Sequence, residues 1–513
     1  MARWLYLLSE SLPAVALPVA LIAVGAVYLF GTRGFFIFHP VRALRVMLGK
    51  EKKEALSALS LALAGTLGVG NIAGVALAVA IGGAGSVFWM WVSALFSMFL
   101  KYGEVVLALL YREKRSDGKG AGGAMYYMRD ALGGRLGKFL SYAFSVLCLL
   151  CALTLGSSVQ ANAAAESLAA LSVPPLFSGV MLALFAALAV FGGAKRIEKV
   201  TSRLIPVLTL FYTLLSLYAC LSHASLLPSV ITRIFKEAFS PLATMAGGGT
   251  ILALRAVRYG VCRGLLSNEA GAGTAPLAHA TAKNTPTSQG LLGAFEVFID
   301  TFVLCSATAF VVLLAFPTPS VTLGGVELVL SAFSVLVGGW TRIPLILSVV
   351  LFVYATVICW CFYGERALSY MSQSVRLRRV YLCVFLLLLA LGSIFSGDFI
   401  WSATDLSLSA LTLLNLLALL ILFPVVKRET SKDFFTNSRN PKPFALRKKQ
   451  NPEEHLPLPS KALGSRDEER SARMREGRCE DVPHRFRTAR RQEEDDRSKP
   501  YARGSGGCGP LRW

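Results

Sequence analysis

The sequence predicts an all-α polytopic membrane protein of about eleven transmembrane helices, set out as five plus five behind an extra N-terminal helix. Three observations carry this. Apolar runs of roughly 18–28 residues, long enough to cross a bilayer, recur up to Val426. The loops between them alternate between basic and nearly free of Lys and Arg. Two of the runs, at corresponding places in the two sets, are interrupted by clustered glycines.

Composition sets the class. The chain has 513 residues, 54% of them hydrophobic, and a mean hydropathy of +0.56. No stretch up to Val426 is left over for a soluble catalytic domain of ordinary size. The net charge of +21 divides in two. From Lys427 onward there are about 22 Lys+Arg against about 14 Asp+Glu, so roughly +13 lies in loops between apolar runs. That is the pattern of basic cytoplasmic loops, and it speaks against nucleic-acid binding. The ten cysteines show no metal-ligand spacing. Most sit in apolar runs, where cysteine acts as a small hydrophobe.

The spans expected in order are roughly 13–31, 56–81, 85–111, 138–166, 175–192, 203–222, 231–258, 288–316, 341–362, 379–394 and 400–426. Residues 13–31 are too long for a signal peptide core, lack a clear cleavage site and run into Arg33, so they read as the first span. Lys and Arg cluster in the first, third, fifth, seventh and ninth loops. This places the N-terminus outside and the C-terminus in the cytoplasm of a plasma (inner) membrane. "GFFIFHPVRALRVML" reads as an interfacial helix, and "VELVLSAFSVLVGG" as a short interfacial or re-entrant segment. The expected parts are 1–55, the N-terminal span and interfacial helix; 56–222 and 231–426, the two sets of five; and 427–513, a polar disordered tail.

The first interruption is "LALAGTLGVGNIAGVALAVAIGG", Leu61 to Gly83, which carries Gly65, Gly68, Gly70 and Gly74 with Asn71 among them. The second is "SPLATMAGGGTILALRAV", where Gly247, Gly248 and Gly249 stand together in mid-span. Gly70 and Gly74 alone would suit close helix packing. Paired interruptions in two sets of five point instead to a site near the midplane, the logic of the LeuT-type inverted repeat. Unwound backbone inside a membrane needs protein or a cavity around it. There, free carbonyls bind a cation and half-helix N-termini bind a carboxylate.

Several blocks resemble the alanine or glycine:cation symporter family. They include "GTLGVGNIAGVALAVAIGGAGSVFWMWVSALFSMFLKYGEVVLALLYR", "VQANAAAESL", "RGLLSNEAGAGTAPLAHATA", "VFIDTFVLCSATA" and "WCFYGERALSY". The resemblance runs from about Gly25 to Val426. It implies a LeuT-type core that imports a small neutral amino acid, alanine or glycine, with sodium as the co-transported ion. It implies Gly68, Val69, Gly70 and Asn71 on the substrate carboxylate, with Gln160, Asn162 and Trp360 lining the pocket and Gly247, Gly248 and Gly249 as the second break. The carbonyls of Ala64 and Leu67 and the hydroxyl of Thr356 would face sodium. The family commonly has Thr where this chain has Val69, Asn for Ser157, Ser or Thr for Ala355, and Met for Ala272. A proton-coupled transporter of the same fold is therefore the alternative.

Ionisable residues inside apolar runs are candidates for gating or coupling. Asn268, Glu269 and Asp300 are taken in that role, with Glu269 at an inner gate or cap. Lys101 and Glu104, at i and i+3, are expected to pair with each other. Glu296 and Asp300 share one helix face, and His279 reads as a hydrogen-bonded structural residue. The partners expected are the amino acid and the bilayer, with no nucleic acid and no obligatory protein partner. An ion channel is a less favoured class, because both interruptions lie within one protomer. An enzyme would need a nucleophile–base pair or metal cluster that the sequence does not offer.

Overall fold

A computed structural model describes residues 16–47, 52–114, 120–239, 249–319, 324–395 and 397–432. Met1–Pro441 forms one compact unit; Lys442–Trp513, assigned to a second, lies outside the described residues. The fold is helical apart from a two-residue ribbon, β1 (Glu113–Lys114) paired antiparallel with β2 (Gly120–Ala121).

The chain enters through α1 (Leu17–Gly31) and turns at Arg33 and Gly34, both in the left-handed region. The expected interfacial helix is two short pieces, α2 (Phe35–Phe38) and α3 (Pro40–Met47). Proline at position 40, which offers no N–H to continue the first piece, divides them. Next come α4 (Lys52–Thr66), a π-helical turn at Gly70–Gly74, and α5 (Val75–Gly82), the two halves bent by 54°. α6 (Gly85–Leu110) follows and runs through the centre of the bundle.

Beyond the ribbon, α7 (Ala124–Leu132) leads into α8 (Gly134–Leu153). A second π-helical turn, Thr154–Val159, joins α8 to α9 (Gln160–Ala169). α10 (Pro175–Val190), α11 (Gly193–Ser222) and α12 (Leu227–Phe239) complete the first half. α11 starts ten residues before the expected boundary, because Lys195, Arg196, Lys199 and Arg203 hide its first three turns from a hydropathy reading.

The second half holds α13 (Gly249–Asn268), the short α14 (Ala275–His279), and α15 (Pro286–Val297), which passes through a third π-helical turn, Phe298–Cys305, into α16 (Ser306–Ala315). The segment "VELVLSAFSVL" forms α17 (Gly325–Leu336), largely buried against the first π-turn and α16. α18 (Arg342–Met371), α19 (Val375–Gly392) and α20 (Gly397–Ser431) close the fold. α20 continues past Lys427, tied at its end by Tyr102 and Thr430, whose hydroxyls are 2.8 Å apart.

Most expected spans have a matching helix, but the count by length is smaller. Among the described residues six helical stretches are long and apolar enough to cross a membrane, and the bent pair α4–α5 makes a seventh. α1, α10 and α17 are apolar but shorter. At 1.5 Å per residue a 15-residue helix reaches only about 23 Å of a hydrocarbon core of about 30 Å. α19 opens with Arg376, Arg378 and Arg379, which shorten its apolar stretch. The expected span 231–258 is two helices, α12 and α13, and residues 240–248 between them, with Gly247 and Gly248, lie outside the described residues. The architecture is that of a multi-pass membrane protein.

Candidate functional site

The break after α4 has a definite local cause. The N–H of Gly68 does not continue the helix; it turns to the Thr66 carbonyl at 3.0 Å and the Asn71 side-chain oxygen at 3.2 Å. The Ala64 carbonyl thereby loses the i+4 donor that an unbroken helix supplies. Two glycines are required here by close approach. A Cβ on Gly68 would stand 2.6 Å from Thr356 Oγ1, and one on Gly70 would stand 3.1 Å from the Cα of Ser267. The break is thus pressed between α18 and α13.

Thr356, on α18, donates to the Leu67 carbonyl at 3.3 Å and to Phe352 one turn back at 3.1 Å. This brings the expected Leu67 carbonyl and Thr356 hydroxyl together. Thr356 also lines a small cavity, walled further by Gly68, Gln160, Leu266, Glu269, Trp360 and Trp401. Its volume is about 10 Å³, room for roughly one water. Val69 and Gly70 also reach this cavity. Trp360 shares α18 with Thr356 one turn apart, as the i+4 spacing requires.

Gln160 begins α9 directly after the second π-turn. Its Nε2 donates to the Leu155 carbonyl at 3.2 Å, while its buried Oε1 has no hydrogen-bond partner among the described residues. That oxygen lies 3.3 Å from the place a Gly68 Cβ would take, so it is aimed at the break. Asn162 is different. It donates to the Phe395 carbonyl at 3.3 Å and is not part of the cavity wall. One residue in a helix turns the side chain by about 100°, so Gln160 and Asn162, two apart, face different ways.

Two buried acids and a buried asparagine stand around the break. Asp300, in the third π-turn, accepts from Asn71 Nδ2 at 2.6 Å, from the Ser267 hydroxyl at 2.8 Å and from the Thr301 hydroxyl at 2.9 Å. Asn268 donates to Thr301 Oγ1 at 3.2 Å and accepts from the Ala270 N–H at 3.0 Å. Glu269 sits at the cavity wall with φ of 51°, in the left-handed region. One of its oxygens accepts from Trp360 Nε1 at 3.1 Å and the other from Thr274 at 2.7 Å. The loop that follows has Gly271 and Gly273 at φ of 83° and 75°, values that favour glycine.

The expected Lys101–Glu104 pair is not formed. Lys101, fully buried, pairs with Glu296 at 3.3 Å, and His279 lies 3.1 Å from the other Glu296 oxygen. Gln289 contacts the far ring nitrogen of His279 at 2.7 Å, which gives His279 partners on both sides. Glu104 instead accepts from the Gly273 N–H at 2.9 Å and Asn415 Nδ2 at 2.7 Å. Neighbours on one helix can be drawn to different sides when each finds a better partner across the bundle.

Sequence reading did not single out Ser267, Thr301, Leu266 or Trp401. Nor did it find Arg263, which lies over the Trp401 ring at 4.9 Å and 4.0 Å from Asp405. The three π-turns carry Asn71, the approach to Gln160, and Asp300. Such turns cluster at functional sites and have no compositional signature. Among the described residues no group of three His, Cys, Asp or Glu could hold a metal ion. The oxygens gathered at the break are carbonyls and a hydroxyl.

Comparison with known proteins places this site in context. A model described as the sodium:alanine symporter family matches residues 1–445. The chain is 37% identical over 416 residues to the sodium/alanine symporter AgcS of Methanococcus maripaludis, covering 77% of this chain and 89% of that protein. It is 34% identical over 393 residues to the probable sodium/glutamine symporter GlnT of Bacillus subtilis, covering 75% and 80%. It is 33% identical over 378 residues to the amino-acid carrier protein AlsT of Bacillus subtilis, covering 73% and 79%.

Proposed function

Because the chain belongs to the sodium:alanine symporter family, we propose that it imports a small neutral amino acid, alanine or glycine, by alternating access around the break after α4. Membership makes it a sodium-coupled amino-acid transporter of the membrane and not an enzyme. The finer reading assigns the roles. The backbone amides of Gly68, Val69 and Gly70, with Asn71, take the substrate carboxylate at the opened helix end. Gln160 Oε1, buried without a partner among the described residues, accepts from the substrate ammonium. Trp360 covers the substrate side chain. The carbonyls of Ala64 and Leu67 and the hydroxyl of Thr356 hold sodium.

The observation that carries this reading is the Thr356–Leu67 contact at 3.3 Å. It sets a hydroxyl from α18, itself on the cavity wall, against a carbonyl at the break. The two sets of five, 56–222 and 231–426, then act as LeuT-type inverted repeats that rock about this closed site. Gly247, Gly248 and Gly249 serve as the second break, and the N-terminus lies outside with the C-terminus in the cytoplasm. Asn268, Glu269 and Asp300 couple the site to that movement.

Proton coupling in the same fold is the second reading. It is favoured by Glu269, a carboxyl at the cavity wall held by an indole N–H and a hydroxyl rather than by a cation. The name of GlnT also keeps glutamine in view as substrate. The deciding experiment is uptake of radiolabelled alanine into proteoliposomes under an inward sodium gradient, with a potassium control, a proton-gradient arm and unlabelled glycine and glutamine as competitors. Saturable uptake that requires sodium and is displaced by glycine supports the leading reading. Uptake that follows the proton gradient alone moves the assignment to Glu269, and uptake displaced only by glutamine overturns the substrate.

A further inference from the structure

A wide cleft lies apart from the candidate substrate site. It opens on the side of the bundle between α11 and α18, with a volume of about 950 Å³. It is lined by Lys195, Arg196, Lys199 and Arg203, all from the first three turns of α11 and all exposed. Its apolar wall is Val200, Leu204 and Val207 of α11 with Leu351 and Tyr354 of α18. Along α11 the cations come first, and Leu204 and Val207 carry the groove on past them. From Lys195 to Val207 the helix rises about 18 Å, comparable with one leaflet of a hydrocarbon core of about 30 Å.

The four cations have no acidic partner among the described residues. Glu198, the acid in the same stretch, accepts instead from Ser57 on α4 at 2.8 Å. Lys195 and Arg196 also stand in the first turn of α11, where the helix dipole already presents positive charge and no acid is present. An arrangement of like charges against the dipole is unfavourable by itself and becomes favourable when an anion sits among them. Arg196 and Arg203 offer planar donor forks suited to phosphate oxygens.

We propose that this cleft binds an anionic phospholipid, its headgroup phosphate among Lys195, Arg196, Lys199 and Arg203 and one acyl chain along Leu204, Val207 and Leu351. Basic pockets between membrane helices take anionic headgroups in this way. The apolar wall distinguishes the occupant from free phosphate, and the cations distinguish it from a zwitterionic lipid. Because α18 also carries Thr356 and Trp360, a lipid seated here would brace the helix that forms one wall of the candidate site.

The test uses the purified full-length protein in detergent, titrated with phosphatidylglycerol, phosphatidylcholine or inorganic phosphate and read by native mass spectrometry and thermal unfolding. Phosphatidylglycerol is expected to bind and stabilise, with phosphatidylcholine and phosphate each weaker by about tenfold or more. Replacing all four cations, Lys195→Gln, Arg196→Gln, Lys199→Gln and Arg203→Gln, is expected to remove at least about tenfold of the phosphatidylglycerol affinity. Arg376→Gln with Arg379→Gln, an exposed basic pair on α19, should leave it unchanged. Val207→Trp keeps every cation and blocks the apolar wall, so it decides the matter if the fourfold variant does not fold, and it too should weaken binding. Equal protection by phosphate or by phosphatidylcholine overturns the proposal. So does phosphatidylglycerol binding that survives both the charge and the Val207 replacements.

Discussion

Asn71 Nδ2 donates to Asp300 Oδ1 at 2.6 Å, joining the helix break to a π-turn 229 residues further along the chain. The other end of the same amide accepts from the Gly68 N–H at 3.2 Å. One uncharged side chain therefore satisfies both the opened helix end and a buried carboxylate. Replacing Asn71 with alanine takes one bond from each, leaving the Gly68 N–H with the Thr66 carbonyl alone and Asp300 Oδ1 without its amide donor. The expected outcome is near-complete loss of transport together with destabilisation of about 1–3 kcal/mol. Uptake in proteoliposomes and thermal unfolding in detergent read the two effects separately, and normal kinetics in Asn71→Ala would remove the break from the substrate site.

Thr356 offers a more selective probe. Its hydroxyl is the only side-chain oxygen proposed for the cation, and Thr356→Ser keeps it while Thr356→Ala does not. The half-maximal sodium concentration should rise by about tenfold in the alanine variant, equivalent to about 1.4 kcal/mol. The serine variant should stay near the parent. Equal sodium dependence in both variants would argue that the hydroxyl only supports the helix, through Phe352.

Glu269 holds Trp360 by its indole N–H. Glutamine retains an oxygen that can accept this bond, and alanine does not. Glu269→Gln should therefore keep sodium-driven uptake within about threefold, while Glu269→Ala should raise the substrate KM by about tenfold as the indole loses its anchor, a change worth roughly the 1–3 kcal/mol of an unmade buried hydrogen bond. A pH-dependent uptake abolished by Glu269→Gln would instead identify the carboxyl as a proton carrier.

The buried Lys101–Glu296 pair invites a double-mutant cycle. Removing one partner of such a pair strands a charge and costs about 3–5 kcal/mol, while removing both costs less than the sum. Lys101→Met and Glu296→Gln should thus show strong coupling in thermal unfolding. Lys101→Met with Glu104→Gln should show weaker coupling, since Glu104 is held by Gly273 and Asn415. The reverse order would restore the local pairing that i, i+3 spacing suggests.

Much of this protein was legible before any coordinates. Long apolar runs marked α6, α8–α9, α15–α16, α18 and α20, because a chain in hydrocarbon must satisfy its backbone within each helix. Gly68 and Gly70 marked the break, because only glycine leaves room for Thr356 and Ser267 to touch the backbone. The bent α4–α5 pair stands where the glycines lie. The stretch "VQANA" does not say which face meets the cavity: Gln160 does, and Asn162 reaches Phe395. The partner of Lys101 is hidden for a similar reason, since i, i+3 spacing points to Glu104 and the bundle supplies Glu296.

The sequence by itself determined the solvent of this protein and the place of its first interrupted helix. Both follow from requirements met residue by residue along the chain, namely transfer of apolar groups out of water and the steric allowance of glycine. Only the tertiary structure decided which group satisfies each buried polar atom: Asp300 for Asn71, Glu296 for Lys101, Glu269 for Trp360. Those partners lie 91 to 229 residues apart. In a low-dielectric interior an unpaired polar group is so unfavourable that packing across the bundle, not spacing along one helix, sets the pairing.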